Sequence, residues 1–161
     1  MKKKIAILGS TGSIGKTLLN IVDKDKKNFD VILLTANQDY KTLIKQAKKF
    51  NVKNIVLTNK KYYEIVKKKN YKQFYIYNNF SNFKNFFPSK LDYVMSAIVG
   101  LDGLKPTVEI IKFTKKIAIA NKESIICGWN IIKKHLDKYK TKFIPVDSEH
   151  FSIWYALNKS T

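Results

Sequence analysis

The 161-residue sequence has no arginine, one cysteine, three prolines and six glycines. Each shortage narrows the reading. The lone cysteine, Cys127, has no partner for an internal disulfide and fits a reducing compartment. No apolar run approaches the ~18 residues of a membrane span. The stretch Ile5–Leu8 behind the basic first residues is too short for the core of a signal peptide. A cytoplasmic protein with no membrane partner is expected. All 31 basic residues are lysine, and the formal charge is +19. Such charge invites a nucleic acid, but base reading draws on the bidentate fork of arginine. The lysines are also scattered over nearly every expected helix. Abundant asparagine, isoleucine, tyrosine and phenylalanine point the same way, to an AT-rich coding bias and a solvated basic surface. No specific nucleic-acid partner is expected, only non-specific attraction to polyanions. The length suits one domain and the beginning of another.

What is present is alternation. Apolar stretches Lys4–Leu8, Val31–Thr35, Asn54–Thr58, Gln73–Tyr77, Leu91–Met95, Lys116–Ala120 and Phe143–Val146 read as strands. Between them, apolar residues recur at helical spacing in Ser13–Asp23, Tyr40–Phe50, Lys61–Lys69, Leu104–Phe113 and Ser124–Tyr139. The segment Asn78–Lys90, "NNFSNFKNFFPSK", has phenylalanines at helical spacing and reads as a helix docking an aromatic face on a sheet, with a base-stacking surface as the alternative. Strands alternating with helices imply right-handed crossovers. The expected fold class is therefore α/β, a doubly wound, mostly parallel sheet of Rossmann-like type. Such sheets bind ligands beyond the carboxyl ends of their strands.

Half of the glycines stand in one turn. "GSTGSIG" places Gly9, Gly12 and Gly15 at every third position between the first strand and the first helix. Gly9 permits the turn, Gly12 lets backbone approach a pyrophosphate, and Gly15 lets helix pack on strand. The helix N-terminus then offers free N–H groups to phosphate. Ser10, Thr11 and Ser13 add hydroxyl donors. Lys16 follows Gly15, but the spacing is not that of a P-loop. At the tip of the second strand stand Ala36, Asn37 and Gln38, with no carboxylate before Asp39. No like charge opposes a 2′-phosphate there, which favours NADP.

Two later motifs also follow strands. In "AIANKES", Asn121 is a natural helix N-cap, with Lys122 and Glu123 in the first turn. A lysine there opposes the helix dipole, which points to a substrate phosphate or oxygen, with a simple surface pair of Lys122 and Glu123 as the alternative. In "IPVDSEH", Asp147 and Glu149 alternate, so an extended chain would turn both carboxylates one way. Hard oxygen donors suit Mg²⁺ or Mn²⁺, and two are too few to hold the ion alone. Ser148 is a donor to substrate or a helix cap. His150 reads as structural, and Cys127 as packed inside its helix.

Taken in order, "GSTGSIG", "SAIVG", "ANKES" and "PVDSEH" resemble the 1-deoxy-D-xylulose 5-phosphate reductoisomerase family of non-mevalonate isoprenoid synthesis. The resemblance covers nearly the whole chain. It implies rearrangement of the deoxyxylulose phosphate and reduction of the aldehyde by NADPH to 2-C-methyl-D-erythritol 4-phosphate, with a divalent metal, Mn²⁺ or Mg²⁺, chelating the substrate. It implies Thr11, Gly12, Ser13, Ile14, Asn121 and Glu123 as cofactor contacts, and the strand-tip reading adds Asn37, whose amide could hydrogen-bond a 2′-phosphate. Lys122, Ser148 and Glu149 are implied as catalytic, and Asp147 and Glu149 as metal ligands. The family's second strand commonly ends near a glycine and a basic residue, where Asn37 and Gln38 stand here. The resemblance further implies an NADPH-binding domain over residues 1–140 and the start of a catalytic domain over residues 141–161. The chain is then an N-terminal portion, inactive alone, of a homodimer acting on a phosphosugar. Rival readings are another NADP-dependent dehydrogenase, such as a semialdehyde dehydrogenase, and a non-catalytic nucleotide- or polyanion-binding domain.

Overall fold

A computed structural model describes residues 1–81, 83–87, 89–146 and 148–159, without the side chains of residues 85, 148–150, 154 and 158–159. Seven strands alternate with helices: β1 (Lys3–Leu8), α1 (Ser13–Lys24), β2 (Phe29–Ala36), α2 (Tyr40–Lys49), β3 (Asn54–Leu57), α3 (Lys60–Lys68), β4 (Tyr75–Tyr77), α4 (Phe83–Phe86), β5 (Tyr93–Ser96), α5 (Leu104–Ile111), β6 (Lys116–Ile119), α6 (Lys122–Tyr139), β7 (Lys142–Pro145) and α7 (Ser148–Lys159). The strands form one sheet in the order β4-β3-β2-β1-β5-β6-β7, with every pairing parallel. From β1 the chain winds outward to β4, then returns to lay β5 on the other side of β1. That reversal opens a crevice beyond the tips of β1 and β5.

Both faces of the sheet are covered. Ile5 and Ile7 of β1 face a core completed by Leu19 and Val22 of α1, Leu43 and Ala47 of α2, and Val66 of α3. Ala6 and Leu8 face the opposite core, with Ile110 and Ile111 of α5 and Ile132 and Leu136 of α6. A strand apolar on both sides is what a buried parallel sheet requires. Among the described residues, no helix is long and apolar enough to cross a membrane.

The aromatic segment is less helical than its spacing predicts. Among its described residues only Phe83–Phe86 forms a helix, and Asn79 accepts the Ser81 N–H through its side chain at 3.0 Å. Asparagine and serine side chains compete with the helical ladder in this way. The docking reading survives: Phe83, Phe86 and Phe87 are buried against the sheet, so their faces are not offered to bases. One other expectation changes. Cys127 is exposed rather than packed. β7 pairs with β6 from Lys142 to Pro145, so the sheet continues past residue 141.

Asp92 ties the start of β1 to the loop before β6. It accepts the Lys4 N–H at 2.8 Å and the Lys115 ammonium at 2.8 Å. Lys115 first, then the Lys4 N–H, hold its carboxyl below the usual range. The stabilisation from this lowered pKa is present above the unfolded value and is lost as pH falls through the folded one. Asp92→Asn is thus expected to cost at most about 1 kcal/mol at neutral pH. The difference from the parent should shrink as pH falls through the lowered folded value, as read by urea unfolding at neutral and at acid pH.

Candidate functional site

The crevice is built on the glycine turn. Gly9 leaves β1 at φ +83°, and a Cβ there would lie 2.5 Å from the Ala97 carbonyl oxygen. Its N–H donates to the Thr35 hydroxyl at 2.9 Å, which joins the tips of β1 and β2. A Cβ on Gly15 would lie 2.5 Å from the Gly9 oxygen and 2.6 Å from the Ser10 Cα, so α1 presses directly on the turn. Gly12 differs from both. A Cβ there would meet nothing nearer than the Gly9 oxygen at 3.5 Å.

Gly12 is also the N-cap of α1, and no side chain caps that helix. By contrast α2, α3 and α6 are capped by Asp39, Asn59 and Asn121. The first-turn N–H groups of α1 and its positive pole are therefore left to a ligand or to water. They adjoin a trough of ≈ 720 Å³ lined by Thr11, Gly12, Asn37, Lys60, Ile98 and Asp102 among others. A second hollow of ≈ 260 Å³ shares Gly12, Ala97, Ile98 and Val99 with it and adds Ser13, Ile14, Asn121, Lys122 and Glu123. Strand tips on both sides of the reversal thus meet around the glycine turn.

Two expected donors turn out to be committed to the scaffold. Ser10 is buried, not open to a ligand. Its hydroxyl lies 3.2 Å from the Thr35 oxygen and 2.8 Å from Gln46 Oε1, while Gln46 Nε2 donates back to the Ser10 carbonyl at 2.9 Å. The side chain therefore fastens the turn to α2. Asn121 is 2 % exposed. Its Oδ1 accepts the Ser124 N–H at 2.8 Å, and Nδ2 donates to the carbonyls of Ile98 and Gly100. A Cβ on Gly103 would stand 2.5 Å from that Nδ2. Asn121 thus clamps the Ala97–Gly100 loop to the start of α6, with both amide hydrogens engaged by backbone carbonyls. In Asn121→Asp the cap acceptor stays but both donors are lost, and a carboxylate faces two carbonyl oxygens. The expected cost is about 2–3 kcal/mol, recovered in part as acid protonates the new carboxyl, read by melting temperature between pH 5 and 8.

Charge is unevenly placed. Asp39 caps α2 through the Thr42 N–H at 3.0 Å. Burial raises its pKa, but the Thr42 hydroxyl and amide, with Lys16 and Lys41, outweigh this and hold it below the usual range. Among the described residues lining the larger trough, Lys60 is the one cation and Asp102 the one anion.

Residues 5–128 match the family described as 1-deoxy-D-xylulose 5-phosphate reductoisomerase. The chain belongs to this family. A reductoisomerase of that description from Pelagibacter ubique (strain HTCC1062) is 60 % identical over 162 residues, covering 98 % of this chain and 42 % of the relative. One from Phocaeicola vulgatus is 37 % identical over 159 residues, with the same coverage of 98 % and 42 %. The chain therefore spans about two fifths of the length of these curated relatives. Among solved structures, the Zymomonas mobilis reductoisomerase in complex with NADPH is 31 % identical with a TM-score of 0.84, over 93 % of this chain and 40 % of that one. A reductoisomerase in complex with NADPH, fosmidomycin and magnesium is 28 % identical with a TM-score of 0.83, over 92 % of this chain and 37 % of that one. The homoserine dehydrogenase of S. aureus, 17 % identical at a TM-score of 0.53, shares the fold alone.

Asp147 lies outside the described residues, as do the side chains of Ser148 and Glu149. The backbone of Ser148 and Glu149 is helical and opens α7, where an extended chain was expected. Among the described residues, no three of His, Cys, Asp or Glu are grouped to hold a metal. Sequence reasoning missed Thr58, Asn59, Lys60, Phe80 and Asp102 as trough residues. The strand-tip rule could have found the first three, because they directly follow β3.

Proposed function

We propose that this chain is the nucleotide-binding part of an enzyme that rearranges 1-deoxy-D-xylulose 5-phosphate and reduces the product with NADPH to 2-C-methyl-D-erythritol 4-phosphate. The observation that carries it is the uncapped N-terminus of α1 behind an unobstructed Gly12, at the point where the strand order reverses. Unpaired N–H donors beside an adjoining trough fit the pyrophosphate of a dinucleotide. The relatives of known structure that bind NADPH support the choice of cofactor.

On this reading Thr11, Gly12, Ser13 and Ile14 cradle the pyrophosphate, and Asn37 lies at the adenosine end. Glu123 lies beside the far half of the cofactor, and Asn121 acts there through the loop it clamps. Lys122, exposed at the start of α6 beside the smaller hollow, is placed to stabilise negative charge on a substrate oxygen. Ser148 and Glu149 are assigned to substrate, and Asp147 and Glu149 to a divalent ion. Two carboxylates fit Mn²⁺ or Mg²⁺ in chemistry, and further ligands come from the rest of the protein and the substrate. NADPH supplies hydride, and the ion supplies Lewis acidity. We assign residues 1–140 to the dinucleotide domain and residues 141–161, whose β7 extends its sheet, to the start of the catalytic part of a cytoplasmic homodimer. The semialdehyde-dehydrogenase alternative needs a catalytic cysteine, and Cys127 is not among the residues lining either hollow.

The test is fluorescence titration of the chain with NADPH, beside NADPH oxidation with 1-deoxy-D-xylulose 5-phosphate and Mn²⁺. Binding without turnover by the 161 residues, and turnover by the complete protein, are expected. Absence of NADPH binding would overturn the reading.

A further inference from the structure

The adenosine end of the trough has an electrostatic gap. In sheets of this type the ribose 2′ group lies by the tip of the second strand. A 2′-phosphate carries about −1.5 to −2 charges near neutral pH, yet β2 ends in Thr35 and Ala36 and is followed by Asn37, none of them cationic. The neighbouring tip is fastened to it: the Thr58 N–H donates to the Ala36 carbonyl at 3.0 Å, and the Asn59 N–H to the Asn37 carbonyl at 3.2 Å. Asn59 then caps α3, and Lys60 is the first residue of that helix.

Lys60 differs from the lysines around it. Lys61 lies over the Tyr62 ring and Lys69 over the Tyr40 ring. Lys16 and Lys41 act on the Asp39 carboxylate. Lys60 is exposed, lines the trough, and is in no ion pair or ring contact recorded among the described residues. It also stands at the positive pole of α3, where a cation is unfavourable without a compensating anion. The reading of the trough as an NADPH site supplies one, and the inference rests on that reading. We propose that Lys60 selects NADPH over NADH by pairing with the 2′-phosphate, so that the tip of β3 provides the charge that the tip of β2 lacks. Asn37 supplies a neutral amide on the other side.

The experiment titrates the 161-residue chain, and its Lys60→Gln and Lys41→Gln variants, with NADPH and with NADH. The parent should prefer NADPH by about tenfold or more. Lys60→Gln should lower NADPH affinity about tenfold, leave NADH affinity within about twofold, and keep the parent circular dichroism and melting temperature. Lys41→Gln should keep the preference. A preference retained in Lys60→Gln, or lost in Lys41→Gln instead, overturns the proposal and leaves the dinucleotide site standing. So does a parent that binds both cofactors equally. A parent that binds neither overturns the functional reading, and this inference with it.

Discussion

Replacing Gly15 with alanine is expected to lower stability by about 3 kcal/mol, although the residue is helical. In an exposed helix the change would gain about 1 kcal/mol of propensity. Here the added methyl would enter space held by the Gly9 oxygen at 2.5 Å and the Ser10 Cα at 2.6 Å. Both atoms are backbone of a turn pinned by Thr35 and by Gln46, so they cannot swing aside as a side-chain tip would. The helix must retreat instead, which lifts Leu19 and Val22 from the core. For a domain of this size the melting temperature should fall by roughly 6–12 °C. A variant as stable as the parent in urea would show that the contact between α1 and the turn is softer than this geometry.

Gly12→Val should do the opposite, sparing the fold and removing the ligand. Gly12 has φ −73° and ψ 172°, extended backbone that a β-branched residue adopts freely. Its Cβ position is clear to 3.5 Å. The isopropyl group would occupy the approach to the first-turn N–H groups of α1, where the proposed pyrophosphate is seated. NADPH affinity is expected to fall by about 100-fold or more, with the melting temperature within about 3 °C of the parent. Retained binding would mean that phosphate is held elsewhere. The two substitutions, three residues apart, thus separate packing from recognition within one motif.

The architecture was legible because its signals are local. Short apolar strands and amphipathic helices alternate, and every expected strand is present within about two residues of its expected ends. Family membership was equally legible in the ordered motifs. What escaped is what depends on neighbours distant in sequence. A serine beside a glycine turn looks like a ligand donor until Gln46, in α2, is seen to take it. Asn121 reads correctly as a cap, but its second task depends on the Ile98 and Gly100 carbonyls folding back over it. Lys60 carries no motif at all. It reaches the trough because β3 lies next to β2 and their tips are hydrogen-bonded, a fact of sheet order rather than of local pattern. The aromatic segment misled in length because the phenylalanine spacing was helical while the intervening asparagines and serines were not helix formers.

The margins of the sheet carry a consequence for how the chain behaves in concentrated solution. One border, β4, is only three residues long. The other, β7, is four residues long, begins at a lysine, and ends at Pro145, which has no N–H to offer. Neither rim gives an incoming chain a long, flat row of open donors and acceptors, so growth of the sheet from molecule to molecule is capped at both borders. The surplus of lysine adds mutual repulsion between copies. Fibre-like polymerisation by strand addition is thereby discouraged by the outline of the sheet itself.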